Sequence, residues 1–333
     1  MKKIFFSLSI LFFLAGCAPH PKPLTLNEAH QKFIALCQDQ YNLDVKLIPL
    51  QNTLWIYLPT DKPFYDYKAT EPKPLKEESP QEKFKVNFLD AKFENNSFVI
   101  SYDISGVKQY PAPDPGYASN NSEDFSKKYR NLFTAVLQSY FDIEETQTAS
   151  FAFDENFKEA PPEKIKAYTK KSGIPDFFVV VIADVKTGLK VTYIANLEDY
   201  KKYANSALPY EEYSQRLIYK MTGDISLIDD YEGKNLTPYE VTWSEFLTKQ
   251  IVNRINFKYG QSLFPPSNDA QKEIIQAIGE TVMFYDFEDF NSAALKDLSN
   301  GSTVTISKED IKNRATSDGN PSEGRFHVIQ FLK

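Results

Sequence analysis

The sequence predicts an α+β protein in which antiparallel β-hairpins are packed by amphipathic helices, arranged as two modules. Three observations carry that prediction. Strand-like runs flank turn-forming residues at 45–58, 84–104 and 177–195: apolar and polar residues alternate at 45–47 and 84–104, while 54–58 and the β-branched run 177–185 are apolar on both faces, as in strands covered on both sides. Other stretches, at 26–41, 123–141 and 242–260, repeat their apolar residues at three- and four-residue steps, the period of helices. Aromatic residues make up 14% of the 333 positions, with 26 Phe and 20 Tyr, which favours strand-rich structure over a purely helical bundle. The length suits two modules or one large one, with a sizeable core.

The chain opens with Met1-Lys2-Lys3, an apolar run from Ile4 to Leu14, and then Ala15-Gly16-Cys17. The run is too short to span a bilayer and ends at small residues, the pattern of a cleaved export signal. Leu14-Ala15-Gly16-Cys17 resembles the lipobox of bacterial lipoproteins. That resemblance implies a diacylglycerol on the Cys17 thiol, removal of residues 1–16, and acylation of the new amino terminus, with palmitate as the expected label. One acyl chain gives only marginal binding, but each buried CH₂ adds roughly 0.8 kcal/mol, so two or three chains hold a body at a membrane. In such lipoproteins an Asp after the cysteine retains the protein in the inner membrane. Ala18 stands there instead, so the resemblance implies the outer membrane of a two-membrane envelope, on its periplasm or surface side. Residues 17–24 are the expected tether, and their three prolines (19, 21 and 23) favour a polyproline-II spacer reaching about 20 Å at about 3.1 Å per residue.

Residues 25–108 form the expected N-terminal module. Thr25-Leu26-Asn27-Glu28 reads as a capping box that opens a helix with Ala29, Phe33, Leu36, Cys37 and Tyr41 on one face. Cys37 is expected to be a small buried hydrophobe on that face. A hairpin follows, with Val45 and Leu47 before a turn at Gln51-Asn52 and Leu54, Ile56 and Leu58 after it. Trp55 and Tyr57 make its second strand apolar on both faces. They are candidate partner contacts if their face is open, and core residues otherwise. The helix and hairpin ending in Asn52-Thr53-Leu54-Trp55-Ile56-Tyr57-Leu58-Pro59 resemble a segment of uncharacterised bacterial lipoproteins, which implies no activity. Residues 59–81 read as a surface loop. A second hairpin places Phe84, Val86 and Phe88 on one face, turns at Asn95-Asn96, and continues through Phe98, Ile100, Tyr102 and Ile104.

Residues 109–122, centred on Pro-Ala-Pro-Asp-Pro-Gly, are the expected linker, and 123–333 the C-terminal module. The latter opens with a helix striped by Phe125, Tyr129, Leu132, Phe133, Val136 and Tyr140. A short helix is expected at 162–172, then a hairpin over 177–195 and helices at 197–205 and 209–222. Thr242-Trp243-Ser244-Glu245 is a second capping box opening a helix that ends at Gly260. A helix at 268–278, a strand at 280–287, a helix at 308–314 and a strand near 326–332 complete the reading. The order helix-then-hairpin recurs, and Asp44-Val45-Lys46 returns as Asp184-Val185-Lys186, although register and spacing do not match.

Charge and composition exclude several classes of function. The net charge is −7, and it becomes −9 once Lys2 and Lys3 are removed. The five arginines (130, 216, 254, 314 and 325) are scattered, so the chain is a poor ligand for nucleic acid or other polyanions. The three histidines (20, 30 and 327) do not pair with Cys or His at metal-ligand spacing, and no Gly-rich phosphate loop or Gly-x-Ser-x-Gly elbow occurs. No cofactor is implied. Acidic residues remain: Asp286, Glu288 and Asp289 lie among aromatics in the run 284–290. As acid and base of a glycan hydrolase they would need to face one another across a cleft; otherwise they are the solvated face of a strand. The function this implies is a non-catalytic envelope lipoprotein that binds a partner, another envelope protein, with a glycan hydrolase as its rival.

Overall fold

A computed structural model of the chain describes residues 24–69, 81–109, 117–140, 175–260 and 269–317. A five-stranded sheet runs through its middle, in the spatial order β1 (Lys46–Leu50), β2 (Thr53–Thr60), β7 (Phe177–Asp184), β8 (Leu189–Asn196), β9 (Ile218–Gly223). The two expected hairpins, β1–β2 and β7–β8, join through their inner strands. β2 and β7 pair in parallel from Thr53 opposite Phe177 to Thr60 opposite Asp184, and the other pairs are antiparallel. Parallel strands covered on both faces are apolar throughout rather than alternating, and Leu54–Leu58 and Phe177–Ala183 are buried at every position. One sheet therefore takes strands from both sides of the 109–122 stretch expected to separate two modules.

On one face of this sheet lie α1 (Leu26–Ala35), which continues as a π-turn over Leu36–Gln40, α2 (Glu123–Tyr140), α3 (Leu197–Ala204) and α4 (Tyr210–Arg216). Phe33, Cys37, Leu132, Phe133, Val136, Tyr200 and Tyr213 pack there on Leu54, Ile56, Phe178 and Val180. The capping box forms as expected: Thr25 Oγ1 accepts from the Glu28 N–H at 3.3 Å and the Glu28 carboxylate accepts from the Thr25 N–H at 2.6 Å. On the other face lie α5 (Trp243–Gly260) and α6 (Ala270–Phe284), and beyond them a four-stranded sheet. Its order is β11 (Thr303–Ser307), β10 (Ser292–Asp297), β5 (Ser97–Gln109), β4 (Gln81–Glu94), with β10 parallel to β5. Phe246, Ile251, Ile274 and Ile278 fill the space between Val179 of the first sheet and Phe98 and Ile100 of the second. The β4–β5 turn has both asparagines at positive φ, 50° at Asn95 and 54° at Asn96, the backbone a two-residue hairpin turn requires.

Several elements depart from the sequence reading, each for a local reason. A β-bulge between Val86 and Phe88 makes Asn87 an extra residue in the ladder, so the alternation changes face, while its side-chain amide donates to Asp103 and Ser105 of β5. Leu89, Ala91 and Phe93 join the core, while Phe88, expected to point with Phe84 and Val86, is 46% exposed. The helix expected over 209–222 stops at Arg216, and β-branched and aromatic residues at Ile218–Gly223 form edge strand β9 instead. The strand expected over 280–287 is helical as far as Phe284. Asp269 caps α6, and Ile274, Ile278 and Val282 recur at helical spacing on its buried side. The loop at 59–81 and the linker at 109–122 contribute β3 (Tyr65–Ala69) and β6 (Tyr117–Asn121), which pair with each other. Two strands and a helix close the described chain: β10, β11 and α7 (Lys308–Ser317). The helix at 162–172 and the strand near 326–332 lie outside the described residues. Of the two tripeptides, Asp44 precedes β1 whereas Asp184 ends β7, so they hold non-equivalent places.

Candidate functional site

Trp55 and Tyr57 are buried, 6% and 1% exposed, so neither side chain is presented to a partner. Alternation along β2 turns both toward α5 and the second sheet. There they carry the segment 224–241, which crosses the face of β2. The Trp55 Nε1–H donates to the Tyr239 carbonyl at 2.8 Å, the Tyr57 hydroxyl donates to the Asp230 carbonyl at 2.6 Å, and Thr53 Oγ1 accepts from the Val241 N–H at 2.9 Å. Burial pushes the Tyr57 hydroxyl well above its ordinary pKa, so it remains a donor. Gly233, at φ 68°, lies so close to the Tyr57 ring that a Cβ would come within 2.9 Å of it.

The segment is also tied to itself and to the β7–β8 turn. The Asp230 carboxylate accepts from the Lys234 N–H at 3.0 Å and the Asn235 N–H at 2.8 Å, and Asn235 Nδ2 donates to the Ser226 carbonyl at 2.6 Å. Asp224 accepts from the Ser226 N–H and hydroxyl and from Lys190 Nζ at 2.8 Å. The hydrogen bonds from Lys190 and Ser226 hold its carboxyl at about 2, against an ordinary 3.8. In the adjoining turn, Asp184 accepts from the Lys186 N–H and the Thr187 hydroxyl. The Asp224 N–H donates to the Gly188 carbonyl at 2.7 Å, and the Asp229 N–H to the Val185 carbonyl at 2.9 Å. Leu227 is fully buried beneath the segment. Against that scaffold four large hydrophobic side chains are exposed: Ile225 at 85%, Ile228 at 44%, Tyr231 at 41% and Tyr239 at 38%. A preformed backbone bearing exposed apolar groups loses little entropy when something covers it, which suits docking.

The three acidic candidates occupy a different place. Asp286, Glu288 and Asp289 are all exposed on the connection between α6 and β10. Glu288 lies 2.6 Å from Lys308 Nζ and also pairs with Lys312, and their hydrogen bonds hold its carboxyl at about 2. Such a carboxylate is ionised near neutral pH and unfit to be a general acid. Phe287, between the acids, and Phe290, just after them, stack on one another and pack against Phe98 of β5. Burial lowers the His30 pKa and pushes the Cys37 thiol up to about 12, so Cys37 is an inert core residue. Among the described residues no group of three or more His, Cys, Asp or Glu could hold a metal ion, and no helix is long and apolar enough to cross a membrane.

A second feature escaped the sequence reading. Glu212 Oε1 accepts from both Arg216 Nε at 2.7 Å and Arg254 Nη2 at 2.6 Å, and Arg216 Nη1 meets Asp199 at 3.1 Å. Gln250 Nε2 donates to the Tyr285 hydroxyl at 2.7 Å, and that hydroxyl donates to Asp199. The Arg216 guanidinium sits over the Phe284 ring. This buried ionic cluster ties α3, α4, α5 and α6 together. The four-residue spacing of Glu212 and Arg216 was a usable signal for one of its pairs, and the Asp-, Gly- and Asn-rich run 223–235 was a signal for the loop.

Residues 1–18 match a family model described as the prokaryotic membrane lipoprotein lipid attachment site. Cys17 is the cysteine inside that match. No curated protein and no solved structure matches the chain.

Proposed function

The chain is a bacterial lipoprotein, anchored at a membrane of the cell envelope by lipid, and from that premise we propose that it is a non-catalytic binding or assembly component attached at the outer membrane through acylated Cys17. Its partner is another envelope protein. The observation that carries this reading is the contrast between the two candidate places. The acids at 286–289 are exposed, and Glu288 is locked in ion pairs, whereas segment 224–241 is a fixed scaffold that spends its order on displaying apolar groups. Ala18 supports the outer membrane over the inner, and the short tether keeps the body close to it.

The test is affinity capture of the acylated protein from its native membrane, alongside palmitate labelling and a Cys17→Ser control. We expect labelling of the native chain alone, and an envelope protein retrieved reproducibly with it. Hydrolysis of envelope glycan that is abolished in Asp286→Asn, Glu288→Gln or Asp289→Asn would replace this reading with the hydrolase.

A further inference from the structure

We propose that residues 326–332, which lie outside the described residues, add to the open edge of β11 as a fifth strand of the second sheet. This pairing is independent of the partner proposed above. It closes the sheet against strands of neighbouring molecules at a crowded membrane surface.

β11 presents an edge unlike those of the other outer strands. Among the described residues the two large sheets end in β1, β9, β4 and β11, and the first three are blunted by charge, proline or a bulge. β1 carries Lys46 and Pro49, β9 carries Lys220, and β4 carries Lys85, Asp90, Lys92 and Glu94 besides its bulge. β11, Thr-Val-Thr-Ile-Ser, has no charge, no proline and an unbroken register with β10. Thr303, Val304 and Thr305 are all exposed. The β11 backbone is half used. The Lys308 N–H donates to the Asn291 carbonyl at 3.0 Å, and the Asp297 N–H to the Ser302 carbonyl at 2.9 Å. Bonded and non-bonded positions alternate along an antiparallel ladder, so Val304 and Ile306 turn their N–H and C=O to β10. Those of Thr303 and Thr305 point to the open side.

The sequence supplies a strand of matching length within reach. Phe-His-Val-Ile-Gln-Phe-Leu at 326–332 has five apolar residues and no proline, glycine or charged side chain, the composition of a strand. α7 leaves β11 without a loop: Ser307 Oγ accepts from the Asp310 N–H at 3.1 Å, and the helix runs to Ser317. Ile311 is fully buried and pins α7 to the body. Phe326 follows Ser317 by nine residues, with turn-forming Gly319-Asn320-Pro321 between them, and such a link spans up to about 30 Å. A strand of β11's length is about 17 Å long, so the run reaches either end of it. Strands consecutive in a chain usually lie side by side, and β11 is the last described strand. A short link also gives the run an effective concentration on the order of millimolar, ahead of a second copy or a foreign strand.

The experiment uses the full acylated chain in phospholipid vesicles, as an equal mixture of ordinary and heavy-nitrogen protein. Benzoylphenylalanine replaces Val304 or, as control, Ile225, which is 85% exposed on the 224–241 segment. Irradiation should join position 304 to a peptide from 326–332 carrying the same isotope, and position 225 should not reach that peptide. Hydrogen exchange resolved to single amides should find Thr303 and Thr305 as slow as Val304 and Ile306. With Val328→Pro and Ile329→Pro together, exchange at 303 and 305 should quicken at least about tenfold while 304 and 306 hold. Of two adjacent positions one aims its N–H at β11 in any register, so the pair breaks the ladder, and the adduct in the parent chain decides the matter should that variant fold poorly. An adduct of mixed isotopes gives the edge to a second copy and overturns the proposal. Adducts with lipid alone, or none with 326–332, overturn it too, as do Thr303 and Thr305 amides that exchange fast in the parent chain or are unmoved by the prolines.

Discussion

Glu212 shows how much one side chain holds together. Burial alone would raise its carboxyl pKa, but Arg254 and Arg216 outweigh burial and bring it to about 2, from an ordinary 4.5. A carboxyl whose folded pKa is depressed adds stability above the unfolded value and loses it as pH falls through the folded one. We therefore expect that part of the stability to be complete above about pH 4.5 and to fade toward pH 2, and an acid titration followed by circular dichroism should show it. Glu212→Gln should remove the acid-dependent part and cost about 2–3 kcal/mol in urea unfolding. That is below the usual cost of breaking a buried pair because the carboxylate is 28% exposed and because Arg216 keeps Asp199 at 3.1 Å and Arg254 keeps a longer contact to Glu280 at 3.8 Å. A neutral result would mean the arginines find other partners. Gly188 is the second sensitive position. At φ 72° an alanine is strained, and its Cβ would stand 2.6 Å from the Asp224 carbonyl. Gly188→Ala should cost about 2 kcal/mol and speed hydrogen exchange at the Asp224 and Asp229 amides; unchanged exchange would show that the turn does not hold the loop.

Single elements show where local pattern is a sufficient guide and where it fails. The β4–β5 turn and the Thr25 capping box were legible because each depends on residues within a few positions of one another. The β4 interior was not, because Phe84, Val86 and Phe88 read as one unbroken alternation, and only pairing with β5 reveals Asn87 as the extra residue. Deleting Asn87 would leave Val86 and Phe88 adjacent, with Leu89, Ala91 and Phe93 still on the core face and opposite the same β5 partners. We expect the deletion to change stability in urea unfolding by about 1 kcal/mol or less, and a loss of about 3 kcal/mol or more would show that the bulge itself supports the packing. The boundary of α6 was missed for a related reason. The aromatic and acidic residues at 284–290 alternate like a strand, but Asp269 caps a helix upstream whose buried isoleucines carry it through to Phe284. Trp55 and Tyr57 read as partner contacts if their face is open and as core otherwise, and both are buried. Their partner, a loop more than 170 residues away, leaves no mark near them in the sequence.

At the scale of the whole molecule, the decisive contact is β2 beside β7, separated by more than 110 residues of chain. Nothing local encodes a parallel pairing across that distance, which is why the chain reads as two modules while one sheet is built from both. Residues 24–108 alone would expose Leu54, Ile56 and Leu58, along with the edge of β2 that β7 covers. That fragment should give the circular dichroism of an unfolded chain and regain strand signal only when mixed with 117–333; a cooperative melt of the fragment alone would refute this. The lipid attachment signal was legible at once, because it is written in seventeen consecutive residues, whereas the place of segment 224–241 depends on the support of Trp55 and Tyr57, far from it in the chain. That support also equips the protein with an internal reporter. Trp55 is one of two tryptophans in the chain, and its indole is bonded directly to the underside of the crossing loop. Lifting the loop would wet that indole and redden its emission, so a Trp243→Phe variant would let ordinary fluorescence register displacement of the loop without any added dye.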